Sequence, residues 1–172
     1  MSSSKIVSAC RRLVQTEPSY VLLVLRVALA IVIFPHGAQK LLGWFGGPGI
    51  DGTLQLFAPL GVPTGVALLV ITSDFYGSIA LAIGFLGRVA AFGTTMVMLG
   101  AIAFVHAANG FFLNWNGDQA GEGIQFHLLV LAVALVVLVK GSGAWSADRW
   151  LLQSPARVEK TVPREPELRR AA

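Results

Sequence analysis

Four apolar runs, at residues 20–42, 62–86, 89–108 and 123–139, constrain this chain more than any other feature. The hydrocarbon core of a bilayer is about 30 Å thick and needs about 20 helical residues to cross it. Lipid offers no partner to an unpaired backbone N–H or C=O, so each run must be a helix unless the chain closes into a barrel. The runs lack the alternating apolar and polar pattern of barrel strands, which leaves helix. The fold expected is an all-α membrane protein, a four-transmembrane-helix bundle.

Charge is distributed to match. Of 172 residues 55% are hydrophobic and 13% charged, against about 25% charged in a soluble domain. From Tyr20 to Lys140 the only formal charges are Arg26, Lys40, Asp51, Asp74, Arg88, Asp118, Glu122 and Lys140 itself. The net charge of +4 does not indicate nucleic acid, because the basic residues flank the apolar runs. Lys5, Arg11 and Arg12 precede the first run, Arg88 lies between the second and third, and seven basic residues from Lys140 to Arg170 follow the fourth. The other two connections hold only acidic charge. The positive-inside rule therefore places both termini and Arg88 in the cytoplasm, an N-in/C-in topology. Cys10 is the only cysteine, which excludes an internal disulfide or a CxxC pair. The first apolar run is long enough to span and has no small-residue cleavage site after it, so no cleavable signal peptide is expected.

The remaining segments subdivide the chain. Residues 1–19 form a cytoplasmic segment, 20–152 the membrane domain, and 153–172, with three prolines and mixed charge, a disordered cytoplasmic tail. The glycine-rich residues 43–49 break the first helix, and Asp51 is expected to cap a short interfacial helix over 53–58. Gly87-Arg88 reads as the tight turn between the second and third spans, and 145–152 as an amphipathic helix.

Ionisable side chains inside spans cost roughly 2.5–3.5 kcal/mol each on insertion scales, so each needs a reason. Arg26 lies near the inner end of the first span, where it can snorkel or pair with a helix end. His36 and Lys40, four residues apart, share a face in its outer half, and Pro35 just before them is expected to kink the helix. Lys40 is near enough to the interface to snorkel outward. Asp74 falls mid-span with no such escape. A lone carboxyl there is held neutral unless Arg26 or Lys40 pairs with it. His106 ends the third span, and Glu122, Gln125 and His127 begin the fourth. His36, Lys40, Asp74, His106, Glu122 and His127 thus converge at one depth, and a polar pocket opening toward the extracytoplasmic side is expected. Trp44, Phe45, Phe111, Phe112 and Trp115 read as an interfacial belt or as a rim guiding a ring-bearing lipid. Three histidines on three spans could hold a metal or haem, but no span carries HxxxH or ExxH, so no metal is assigned.

These residues resemble the DoxX family of small bacterial membrane proteins over about 20–151. The likeness starts at Arg26 and Phe34-Pro35-His36-Gly37-Ala38-Gln39-Lys40-Leu41, similar to the family's His-Gly-x-x-Lys signature. It runs on through residues 43–49, Leu60-Gly61-Val62-Pro63, Asp74 and Gly84-Phe85-Leu86-Gly87-Arg88. It closes with Asn109-Gly110-Phe111-Phe112, residues 122–127 and Gly141-Ser142-Gly143-Ala144-Trp145-Ser146-Ala147-Asp148-Arg149. Asp74 stands where the family usually has Glu, and Gly87 where it has a small polar residue.

The resemblance implies a four-helix bundle in the bacterial inner membrane with a link to redox chemistry. The family name comes from the membrane subunit of a thiosulfate:quinone oxidoreductase, and other members look like anchors for enzymes of thiol and oxidant defence. Two functions follow as expectations. One is a redox subunit binding quinone or another lipophile through Arg26, His36, Lys40, Asp74, Glu122 and His127, with Asp74 as proton relay. If this is an enzyme, it is a quinone-linked oxidoreductase subunit. The other is a non-catalytic scaffold that recruits a soluble or membrane redox partner protein. A monomeric four-span transporter without repeats is disfavoured.

Overall fold

The computed structural model describes residues 11–153, and all of their regular structure is helical. Helix α1 is Tyr20–Leu42, opened by the Ser19 hydroxyl, which accepts from Leu22 N, and closed by Gly43 at φ 71°. Helix α2 is the short Gly49–Phe57. Helix α3, Thr64–Ile83, starts straight after Pro63 and ends at left-handed Gly84. Helix α4, Gly87–Ala101, runs on as a π-helical turn, Ile102–His106, and a 3-10 turn, Ala107–Asn109. Helices α5, Gln125–Lys140, and α6, Ala147–Gln153, complete the described chain.

Tyr20–Leu42, Thr64–Ile83 and Gly87–Asn109 are long and apolar enough to span, with mean hydropathies of 2.2, 1.9 and 1.8. Helix α5, at 16 residues, reaches only about 24 Å. It begins two residues later than the sequence suggests because the preceding loop claims that backbone. Gly123 N, Ile124 N and Gln125 N donate to Phe112 O, Gly110 O and Phe111 O. A Cβ on Gly123 would sit 2.5 Å from Phe112 O, so glycine admits this close return.

Helix α1 packs on α3 and α5, and α4 on α3 and α5. Leu29, Ala30, Ile33, Leu81, Ala90, Ala91, Val130, Ala134 and Val137 are among the buried residues between them. The alanines let the helices approach, which matters where lipid supplies no hydrophobic drive to associate. Helices α1 and α3 cross closely at Gly37. A Cβ there would lie 2.5 Å from Asp74 C and Phe75 N, so α1 and α3 touch backbone to backbone. Helix α1 continues through Pro35 to Leu42.

Two corrections concern connections. Helix α2 starts at Gly49 behind Pro48, so Asp51 is an exposed first-turn residue rather than a cap. Its charge still suits the positive end of the helix dipole. The α3–α4 turn lies at residues 84–86, and Gly87 and Arg88 are already helical. The Asp148 carboxylate makes this possible by accepting from Leu86 N at 2.7 Å and Gly87 N at 3.0 Å, while Ser142 Oγ donates to it at 2.6 Å. Residues 154–172, expected to be a tail, and residues 1–10 lie outside the described residues.

Arg26 and Arg88 play parallel parts. The last carbonyls of a helix have no partner within it. Arg26, 1% exposed, donates to Leu81 O and Ala82 O at the end of α3 and to Ala144 O and Trp145 O beyond α5. Arg88 donates to Leu138 O and Val139 O at the end of α5, and to Gln15 O. Of the two roles open to Arg26, pairing with a helix end is the one adopted.

Lysine cannot fork to four carbonyls, and a buried charge with lost partners is costly. Arg26→Lys is expected to lower stability by about 3 kcal/mol. Denaturation in mild detergent would measure this, and Arg88→Lys should cost less because Arg88 is partly exposed.

Candidate intramembrane site

A cavity of about 750 Å³ lies between α1, α3, α4 and the start of α5. That is within the range of small-molecule sites, about 300–1,000 Å³. Its polar lining comes from His36 and Lys40 on α1, Ser73 and Asp74 on α3, His106 on the π turn, and Glu122 and His127 around the start of α5. Most of the remaining wall is apolar. The structure therefore brings together His36, Lys40, Asp74, His106, Glu122 and His127. Arg26 stands apart: it lies 14 residues back from Lys40, about 21 Å along α1, and does not line the cavity.

Lys40 turns inward. Its Nζ lies 2.6 Å from Asp74 Oδ2, with the lysine side chain 25% exposed and the aspartate 1%. Helical side chains lean toward the N-terminus of their helix, and in α1 that direction leads away from the nearby helix end and toward Asp74. Snorkelling to the interface is thus replaced by an ion pair. The second carboxylate oxygen, Oδ1, is buried and has no hydrogen-bond partner among the described residues. Gly37, three residues before Lys40, sets the α1–α3 crossing at Asp74, and a larger residue there would push the two helices apart.

At the other side of the polar cluster the His106 and His127 rings stand 4.1 Å apart between centroids. His106 Nδ1 is 2.7 Å from Glu122 O. A carbonyl only accepts, so the proton of this bond sits on Nδ1. The π-helical turn at Ile102–His106 is the local distortion that carries His106. The Glu122 carboxylate is turned to the loop, where Oε2 accepts from Asn114 N at 2.6 Å. Glu122 thus organises the loop at the cavity mouth and offers the site its carbonyl. His36 is exposed, and its ring lies 6.2 Å from that of Phe126.

Val66, Leu69, Phe92, Met96 and Phe104 line the cavity and are also exposed on the flank of the bundle. Trp44, Phe45, Phe111, Phe112 and Trp115 are all exposed, but none of them lines it. Sequence reasoning missed Ser73 and this apolar wall, which reads as ordinary lipid-facing helix. A signal was nevertheless present: Met96, Gly100 and Phe104 recur every four residues on α4.

The DoxX family model matches residues 21–107 of this chain. "Inner membrane protein YqjF" of Escherichia coli is 29% identical over 131 residues, which cover 75% of this chain and 90% of that protein. "Inner membrane protein YphA" of Escherichia coli is 27% identical over 133 residues, 74% of this chain and 88% of that one. "Putative oxidoreductase CatD" of Bacillus subtilis is 24% identical over 131 residues, 76% and 87% respectively. No solved structure matches.

Breaking a buried pair from one side strands the other charge. Lys40→Met alone should destabilise the protein by about 3 kcal/mol. Lys40→Met combined with Asp74→Asn should recover much of that loss. A double-mutant cycle read by unfolding in detergent would check it, and strictly additive costs would mean that the two residues are not coupled.

Proposed function

The chain belongs to the DoxX family, and on that premise we propose that it is the membrane subunit of a redox system, holding a quinone or a related lipophile in the intramembrane cavity. The observation that carries this reading is an ion pair in a largely apolar cavity between the apolar helices. A quinone needs an apolar slot with hydrogen-bond donors at its carbonyl oxygens. Lys40 keeps two N–H bonds beyond the one given to Asp74, and His36 supplies a ring nitrogen.

Reducing a bound quinone to its quinol takes two electrons and two protons. The electrons would come from a redox partner protein, soluble or membrane-bound. Asp74 is the proton relay in this scheme, because its short bond to Lys40 joins a proton donor to an acceptor beside the ligand. His127, His106 and the Glu122 carbonyl continue the polar line toward the loop at the cavity mouth. The name of the Bacillus subtilis relative, "Putative oxidoreductase CatD", agrees with this reading. The basic residues at the Arg88 end orient the bundle with both termini in the cytoplasm, which puts the polar cluster in the outer half of the membrane.

Organic extraction and mass spectrometry of the protein purified in mild detergent would test the proposal. About one quinone per chain is expected in the wild type, and Asp74→Asn and His36→Ala should lose most of it. A quinone content indifferent to both substitutions would overturn the site. Complete absence of quinone would favour the scaffold that recruits a partner of thiol or oxidant defence.

A further inference from the structure

Helices α3 and α4 are joined by a tight turn and stay in contact only part of the way along. At Gly93 they touch: a Cβ there would collide with Ser73 Oγ. At Gly100, seven residues and about 10.5 Å further along α4, a Cβ would meet no atom within 4 Å. Both glycines line the same cavity. The two helices therefore form a V whose apex is the Ser73–Gly93 contact, beside Asp74, and whose arms part toward the π turn of α4. Met96 and Phe104, one turn either side of Gly100, are 46% and 59% exposed, and Leu69 on the facing arm is 69% exposed. The gap thus runs from the polar cluster to the lipid-facing surface.

We propose that this gap is a lateral portal that seats the alkyl or isoprenoid chain of the bound lipophile, and that Gly100 is the residue that keeps it open. The inference rests on the redox-lipid reading above. The occupant is a chain because the gap lies at membrane depth, is lined by apolar side chains, and leads from a head-group-sized polar end to the surrounding lipid. A head group lodged against Lys40 and Asp74 must let its chain leave the bundle, and the V is where the helices permit it. Moving a chain from lipid into an apolar gap changes its surroundings little, so the portal adds little affinity. Its effect is on access: it determines whether a ligand with a chain can be accommodated at all.

The test uses the full-length protein in mild detergent, with a benzoquinone and a naphthoquinone, each with and without a long isoprenoid chain, at matched mole fraction in the micelle. Wild type is expected to bind the tailed and tail-less forms of at least one head group within about threefold of each other. Gly100→Phe, which fills the gap from α4, should weaken the tailed form at least tenfold and leave the tail-less form within about twofold. Gly100→Ala should behave as wild type, since a Cβ fits freely. Retained tail-less binding also reports that Gly100→Phe is folded. Equal weakening of both forms, or an unaffected tailed form, would overturn the portal and leave the redox-lipid site standing. Failure of wild type to bind any of the four would overturn both.

Discussion

A hydrocarbon medium gives no hydrogen bond to any polar group, so every charge carried into this bundle has to be resolved by another part of the same chain. Three cations are handled in two ways. Arg26 and Arg88 cover carbonyls left over at the ends of α3 and α5, and so fasten neighbouring helices at one end of the molecule. Lys40 is matched to a carboxylate, Asp74, across the backbone contact at Gly37. The arginines serve structure, because their planar guanidinium groups can engage several carbonyls at once. The lysine lines the cavity, and an ammonium bound to one carboxylate oxygen still has protons to donate.

This division of labour separates the two ends of the bundle. At the Arg26 end, Asp148 caps α4 from 61 and 62 residues away, and Gly84 and Gly87 lie close against Ser146 and Ser142. The helices there are closely fastened. At the other end α3 and α4 diverge, α4 loosens into π and 3-10 turns, and α5 starts late. The cavity occupies the space that this divergence leaves. A membrane protein can keep such an opening because the side chains around it are already suited to lipid.

Much of this was legible in the sequence. The four helices follow from run length, and the convergence of His36, Lys40, Asp74, His106, Glu122 and His127 follows from their depth along the spans. Depth separates Arg26 from Lys40, which stand 14 residues apart in α1, but it could not name the acceptor of either. The acceptors are carbonyls for one and a carboxylate for the other. Asp51 looked like a cap because it precedes a helical stretch, but Pro48 and Gly49 start that helix a turn earlier. Gly87-Arg88 looked like a turn because its true cap, Asp148, is remote in sequence.

By itself, the sequence determined that this is a helical membrane protein and which side chains need partners within it, because hydropathy and the cost of burying charge are local quantities. Tertiary structure alone decided which partner each one has, and that a Cβ would meet Ser73 at Gly93 but open space at Gly100. Those outcomes depend on the angle between two helices, and that angle is set by contacts between residues far apart in the chain.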